Sequence, residues 1–316
     1  MISHSAGRLP QASTRLTWTD RLVAIAARLN IRRMQRTVPV GLYRVGSPAP
    51  DAPVLVTANY RLSFDAVRSA LSDRDAWLLV VDTNGINVWC AAGKDLFTSL
   101  SVSRHIIESG LATVVSHRRL VFPQLGATGV AAHEVKGYTG FSVVWGPVRA
   151  ADIPAFLDAD MEATPAMRAV TFHLRERLAI TGVELSRGWR PVYVAVLAAV
   201  ALLGGLGPWG FSTAALLSRG GVTFAAAYVG LLAGALVTPV LLPWLPFRGF
   251  STNGALVGAV FGGVLWSIAT PAVGSLAASG AALAVVAISS AVAMDLTGAT
   301  PITSPSGVLL EMRRSM

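Results

Sequence analysis

Trp189 divides this chain into two kinds of chemistry. Nearly all Asp, Glu, Lys and Arg residues precede it, and the remainder of the chain is Ala, Leu, Val and Gly with single arginines at the ends of apolar runs. A helix needs about 20 residues to cross the hydrocarbon of a bilayer. The runs that approach this length are Pro191 to Leu206, Val222 to Leu242, Gly254 to Ile268 and Val273 to Met294. The first and third are short, and Phe211 to Leu217 could belong to a further span, so the pattern predicts an all-α bundle of four to five transmembrane helices. With 53% hydrophobic and 14% charged residues, the chain is too apolar for an ordinary soluble protein of its size.

Charge placement orients the bundle. With four spans and the N-terminal domain inside, Arg187, Arg190, Arg248, Arg313 and Arg314 are cytoplasmic and Arg219 is outside, as the positive-inside rule requires. Acidic residues are nearly absent from the spans, Asp295 excepted, which reads as an anchor or docking platform rather than a proton-coupled pump. Gly230, Gly234, Gly262 and Gly263 suit close helix packing. The N-terminus has no apolar core of signal-peptide length, so the first domain is expected in the cytoplasm, on the inner membrane.

A net charge of +9 raises nucleic acid as a partner. The cations are spread, however, without the basic face interleaved with aromatics that base or single-strand binding uses, and nucleic acid is not expected. The densest run, Arg32, Arg33 and Arg36, comes after an amphipathic stretch, Leu22, Val23, Ile25, Ala26 and Leu29, that Thr19 and Asp20 could cap. Two readings stay open for that helix: packing on its own domain, or contact with the lipid surface as well.

From Pro53 strand and helix patterns alternate. Pro53 to Ala58 and Ala76 to Asp82 are continuous apolar strands, Leu111 to Val115 supplies a third strand region that could continue to Phe122, and Phe141 to Trp145 is a fourth. Helical spacing falls at Leu62 to Ser72, Gly126 to Val135 and Ile153 to Leu157. Such a pattern predicts an α/β fold, a Rossmann-like parallel sheet with helices on both faces. The expected organisation is a polar segment and amphipathic helix over 1–50, the α/β domain over 51–160, a connector over 161–189, the transmembrane domain over 190–296 and a cytoplasmic tail over 297–316. Ligands of such sheets sit beyond the carboxyl ends of the strands, here in loops starting at Thr57, Asp82, Val115 and Trp145.

One of these loops carries the chain's single cysteine. Asp82 to Lys94 reads DTNGINVWCAAGK, where Asn84 and Gly85 form a turn and Trp89 to Lys94 could form one or two helical turns. Cys90 would then start a helix, where free N–H groups suit a thiolate, a soft and strongly donating metal ligand. A buried structural cysteine is the competing reading. One cysteine excludes an intramolecular disulfide and an internal iron–sulfur cluster, which takes about four. His117 lies at a strand-end loop where it could reach a ligand, whereas His105 and His133 fall within helical patterns and are expected to be packed or exposed. No dinucleotide fingerprint comes after the first strand, and no Ser/His/Asp triad or zinc spacing emerges.

The string Asn87, Val88, Trp89, Cys90, Ala91, Ala92, Gly93, Lys94 resembles the cap-helix signature of the mercury-methylating corrinoid proteins, membrane-anchored relatives of the corrinoid iron–sulfur protein of acetyl-CoA synthesis. Similar segments occur in the same order at Val54 to Tyr60, Ala76 to Asp82, Val115 to Arg118, Pro123 to Ala127, Ala131 to Val135, Gly146 to Leu157 and Thr297 to Arg313. The resemblance implies a corrinoid of the cobalamin type, with the Cys90 thiolate as lower axial ligand of cobalt. The other seven residues of the string form the cap, and Thr57, Asn59 and Ser63 line the corrinoid, Ser63 also being a candidate helix cap. It further implies a corrinoid-dependent methyltransferase: a methyl group arrives by a methyl-tetrahydrofolate route and passes from methyl-cobalt to Hg(II), giving methylmercury. A ferredoxin-like protein with two 4Fe–4S clusters is the implied reductant. Where the family continues Gly-Thr-Phe-Gly-Thr after its lysine, this chain has Asp95, Leu96, Phe97, Thr98 and Ser99, keeping the phenylalanine and losing the glycines. A membrane-anchored corrinoid carrier with another methyl acceptor, and a non-catalytic membrane-anchored binding module, are the alternative readings.

Overall fold

The computed structural model describes residues 9–315. It forms two compact units: residues up to Ala27 together with Ile31–Val170, and Arg28–Asn30 together with the chain from Thr171 onward.

The first unit is built on five strands: β1 (Gly41–Val45), β2 (Val54–Ala58), β3 (Ala76–Val81), β4 (Arg119–Phe122) and β5 (Ser142–Trp145). Every residue of β2 and β3 is buried, because apolar runs without alternation need cover on both faces. The order is β1-β3-β2-β4-β5. β2 to β5 are parallel, but β1 runs antiparallel to β3, with Leu42 opposite Leu79 and Arg44 opposite Trp77. The sheet is therefore mixed, a correction to the all-parallel expectation. On the outer edge of β1, Ala12 N–H donates to Arg44 O and Arg44 N–H to Pro10 O, so residues 10–12 cover backbone groups that would otherwise be open to strand addition.

Around the sheet lie α1 (Trp18–Arg28), α2 (Arg61–Ala70), α3 (Val88–Ala92), α4 (Ser99–Glu108), α5 (Leu111–Val114), α6 (Ala132–Thr139), α7 (Ile153–Asp158) and α8 (Pro165–Arg168). Alternate strand residues sort between two cores. Val54, Val56, Leu79, Val81, Leu120 and Phe122 meet Phe97, Ile106, Val135 and Phe141, whereas Leu55, Leu78, Val80 and Val121 meet Phe64, Leu71, Ile153 and Phe156. Phe97, Phe122 and Trp145 stack edge to face at 6.3 and 6.0 Å, tying the segment after α3 to β4 and β5.

Two elements differ from the sequence pattern. Leu111–Val114 is a helical turn rather than a strand, since Gly110 at φ 65° ends α4 and restarts the chain with Leu111 buried; the strand begins at Arg119. The helix expected over Gly126 to Val135 starts at Ala132. A Cβ at Gly129 would lie 2.4 Å from Phe97 O and 3.0 Å from Ala92 Cα, so the chain there passes too close to α3 and its exit for a regular helix with side chains.

Helix α1 starts with a reciprocal cap. Thr17 N–H donates to Asp20 Oδ2 at 2.9 Å and Asp20 N–H to Thr17 Oγ1 at 3.2 Å, so Thr17 takes the role expected of Thr19. The buried Asp20 carboxylate also pairs with Arg61 and, at 2.9 Å, with Arg68, and both arginines reach Asp65 on α2. Burial alone would raise the Asp20 pKa. The Thr17 N–H, the Arg68 guanidinium and the Thr17 hydroxyl outweigh it and hold the group at about 2.

The second unit contains α9 (Leu174–Leu185), α10 (Pro191–Leu203), α11 (Thr213–Trp244), α12 (Phe250–Val273), α13 (Ser275–Ala299) and α14 (Pro305–Ser315). Among the described residues three helices, α11, α12 and α13, are long and apolar enough to cross a membrane. That corrects the expected four to five: α10 has 13 residues, and Phe211 to Leu217 runs from a two-residue strand into the start of α11 rather than forming a separate span. Gly254, Gly258 and Gly262, one per turn of α12, face α13 so closely that their Cβ atoms would lie 2.5–2.9 Å from its atoms. Ser289 Oγ donates to Gly254 O at 2.7 Å, the side-chain glue expected where apolar burial gives little drive. Gly230 and Gly234 make similar approaches to α13, whereas Gly263 faces open space.

Candidate functional site

At the carboxyl ends of β2, β4 and β5 the first unit encloses a cavity of about 230 Å³. Thr57 of β2 and Ser63 of α2 supply hydroxyls to its wall, and Asn87, Val88 and Trp89 supply the start of α3. Phe122, Pro123, Leu125, Gly146, Val148 and Ile153 complete it. The lining holds no ionisable side chain, so the walls offer shape and a few hydrogen bonds but no acid–base group. Chemistry at such a site would come from what it binds.

Helix α3 is placed by residues distant in sequence. Asn59, buried just after β2, accepts from Thr83 N–H at 3.0 Å, Thr83 Oγ1 at 2.9 Å and Gly85 N–H at 3.0 Å, and donates to Asp82 Oδ1 at 2.8 Å. The turn it holds needs left-handed backbone at Asn84 and Gly85, with φ of 54° and 71°. At Gly85 a Cβ would meet Met34 O at 2.6 Å. The chain then enters α3 at Asn87, whose Oδ1 accepts from Cys90 N–H at 2.9 Å, a cap worth about 1 kcal/mol. Cys90 is half-buried in the first turn. Ala91 and Ala92 are buried behind it, and Gly93 and Lys94 are exposed. A Cβ at Gly93 would make ordinary contacts at 3.7 Å, so packing does not require glycine there.

Thr57, Ser63, Asn87, Val88 and Trp89 are thus brought together at the cavity, whereas Asn59, Cys90, Ala91, Ala92, Gly93 and Lys94 do not line it. Ser63 is no helix cap: the capping position of α2 is Tyr60. His117 precedes β4, at the end of the sheet away from the cavity. Its Nδ1 accepts from Arg119 N–H at 3.2 Å, leaving Nε2 to donate to Ala52 O at 2.9 Å, and the expectation that it reaches a ligand is corrected. His105 is buried between Ser101 O and Asp82 N–H, and His133 is exposed. Among the described residues no group of three or more His, Cys, Asp and Glu is placed to hold a metal ion. Pro123 and Leu125 escape the sequence reading because the loop there is expected to start at Val115, whereas Val148 and Ile153 fall in and just after the loop expected from Trp145 but have no motif that marks them as lining.

The segment after Lys94 turns without a glycine. Asp95 adopts φ 55°, a left-handed conformation natural to glycine and tolerated by aspartate. Thr98 caps α4 by accepting from Ser101 N–H at 3.2 Å, and Phe97 is fully buried.

Fold and site together define an α/β domain with a ligand cavity at its strand ends, in a chain that also carries membrane-length helices. Residues 31–157 match the family model described as CdhD, CO dehydrogenase/acetyl-CoA synthase delta subunit. The acetyl-CoA decarbonylase/synthase complex subunit gamma of Methanopyrus kandleri is 36% identical over 130 residues, covering 40% of this chain and 28% of the relative. Those of Methanosarcina acetivorans and Archaeoglobus fulgidus are 36% identical over 126 residues and 34% over 139. In these two, 39% and 42% of this chain and 26% and 29% of the relative are covered. The chain thus spans under a third of the length of these relatives, and the family-model match falls on the α/β unit.

Proposed function

We propose that the α/β unit binds a corrinoid at the strand-end cavity and serves methyl transfer, and that the Cys90 thiolate would be the protein's ligand to cobalt. The observation that carries this reading is α3 itself, which walls the cavity and holds the chain's single cysteine in its first turn. Similarity to subunits of the acetyl-CoA decarbonylase/synthase complex supports it. A bound corrinoid would supply a cobalt centre able to carry a methyl group between donor and acceptor. The donor chemistry fits, since a thiolate is a strong cobalt donor, and Cys90 lies on α3 next to the lining residues Val88 and Trp89 though outside the lining itself.

The chain's own residues then have separate tasks. Asn59 fixes the turn before α3, Asn87 fixes the direction of its first N–H groups, and Thr57 and Ser63 offer hydroxyls to the polar edge of the ligand. Trp89 and the apolar walls exclude water. The cavity of about 230 Å³ is open to solvent on one side, so it would take part of a larger ligand beside the start of α3. Gly93 and the left-handed Asp95 are where the backbone turns at the exit of α3.

In this reading the methyl acceptor is Hg(II) and the product methylmercury, with methyl groups supplied by a methyl-tetrahydrofolate route and electrons by a ferredoxin-like protein with two 4Fe–4S clusters. The glycine-like backbone at Asp95 and the cap at Thr98 support the cap-helix assignment despite the changed residues. Helices α11 to α13 hold the unit at the cytoplasmic face of the inner membrane. The test is a methylmercury assay on the reconstituted full chain with the ferredoxin and methyl donor. Methylmercury formed by the wild type and not by Cys90→Ala supports the acceptor, whereas a cobalt-loaded chain that methylates no Hg(II) requires another.

A further inference from the structure

Helix α1 is inside out for a helix resting on a soluble domain. Its domain-facing side carries the ionised Asp20, paired with Arg61 and Arg68, and the small Ala27. Its large apolar side chains point away: Trp18, Leu22 and Ile25 are 70%, 51% and 53% exposed. Their spacing of four and three residues places them on one stripe. A globular domain turns such a stripe inward, so this one is built for an apolar medium outside the protein. Ile31 and Met34, just beyond the helix, are also about half exposed.

Charge selects the medium. Between residues 9 and 36 the chain has arginines at 15, 21, 28, 32, 33 and 36 and a single acid, Asp20, whose charge is consumed by Arg61 and Arg68. Arg21, Arg28 and Arg32 are exposed beside the stripe. An apolar stripe headed by a tryptophan and flanked by arginines is the make-up of a helix that lies in the interface of an anionic bilayer. A membrane is also at hand, because the same chain carries α11 to α13.

We infer that α1 is a surface anchor of the α/β unit, lying in the headgroup region of an anionic membrane with Trp18, Leu22 and Ile25 among the acyl chains and the arginines on lipid phosphates. The Asp20 cluster is the rivet that fixes the helix to the unit by its polar side. The inference rests on reading α11 to α13 as membrane spans, and a separate measurement keeps the two apart.

The full chain in a Cys90→Ser background, where no other thiol competes, is labelled with a nitroxide at Leu22→Cys, Ile25→Cys or Arg21→Cys. It is reconstituted in vesicles of phosphatidylcholine with phosphatidylglycerol. Labels at 22 and 25 are expected to collide severalfold more with oxygen than with a water-soluble nickel chelate, and the label at 21 to show the reverse. Trp18 fluorescence of the unmodified chain, taken as the difference from Trp18→Phe, is expected to be quenched by brominated lipid in the same vesicles. Aqueous accessibility at 22 and 25 overturns the inference. So does protection from both collision partners, which would mean that a protein surface or a second copy covers the stripe. Carbonate extraction of the same vesicles separates the two levels: a chain that stays with lipid while 22 and 25 are aqueous refutes the surface anchor alone, and a chain released into the aqueous phase refutes the spanning helices.

Discussion

Replacing Asp20 by asparagine keeps the shape of the α1 cap and removes the charge between Arg61 and Arg68. In the folded protein the carboxyl is held at about 2 against an ordinary 3.8. At roughly 1.4 kcal/mol per tenfold change, the fold favours the ionised form by about 2 kcal/mol. Arg68, with its side chain 5% exposed, keeps Asp65 at 2.7 Å, so the loss should stay below the roughly 3–5 kcal/mol of a fully broken buried pair. The expected cost of Asp20→Asn at neutral pH is therefore about 2 kcal/mol. Because the folded pKa is depressed, this stabilisation is complete above the unfolded value, near 4, and disappears as pH falls through about 2. Urea titration of the full chain in detergent micelles, with deuterium labelling of β2 and β3 peptides at each step, reads the α/β unit apart from the apolar helices. The wild type should lose stability between pH 4 and pH 2, and Asp20→Asn should be weaker at neutral pH with a flatter acid limb. A variant within about 0.5 kcal/mol of wild type, with the same acid limb, would show that the cluster carries no net stability.

Two further substitutions test how α3 is held. Asn87→Ala removes the acceptor for Cys90 N–H and should cost about 1 kcal/mol, seen as faster deuterium uptake confined to the peptide covering α3; Asn87→Asp should restore protection. Gly129→Ala puts a methyl group 2.4 Å from Phe97 O and 3.0 Å from Ala92 Cα, atoms of backbone that cannot simply rotate away. A destabilisation of about 1–3 kcal/mol is expected in the same urea titration, with increased labelling at α3, and an unchanged midpoint would mean that the backbone yields without cost.

What the sequence disclosed depended on whether the deciding contacts were local. β2 and β3 were readable because unbroken apolar runs bounded by Pro53, Asp75 and Asp82 have few other fates, and the Asn84–Gly85 turn because those residues take left-handed backbone readily. β1 escaped because a short edge strand with an arginine near its end has no periodic signature; its stability comes from pairing with β3. β4 was misplaced because Val114 and Val115 look like strand residues until Gly110 is seen restarting the helix. Phe211 to Leu217 and Val222 to Leu242 look like parts of separate spans, but Thr213–Trp244 is the single helix α11. At the site, a short helix around Cys90 was anticipated from one string, whereas its capping by Asn87 and the structural role of Asn59 were not, the partners of Asn59 lying 23 to 26 residues away. Amphipathicity showed that α1 has an apolar stripe; only the Asp20 cluster shows which side faces the protein.

The assignment of Cys90 as the protein's ligand to a corrinoid cobalt is tested most directly by one comparison. Wild-type full chain and Cys90→Ala are each loaded with cobalamin, freed of unbound corrinoid, assayed for cobalt and compared by visible absorption. Stoichiometric cobalt is predicted in the wild type with a thiolate-ligated spectrum, together with a variant whose bound corrinoid, if retained by the cavity walls, has lost that spectrum. Identical spectra from the two proteins would contradict the ligand assignment, and a wild type that retains no cobalt would contradict corrinoid binding itself.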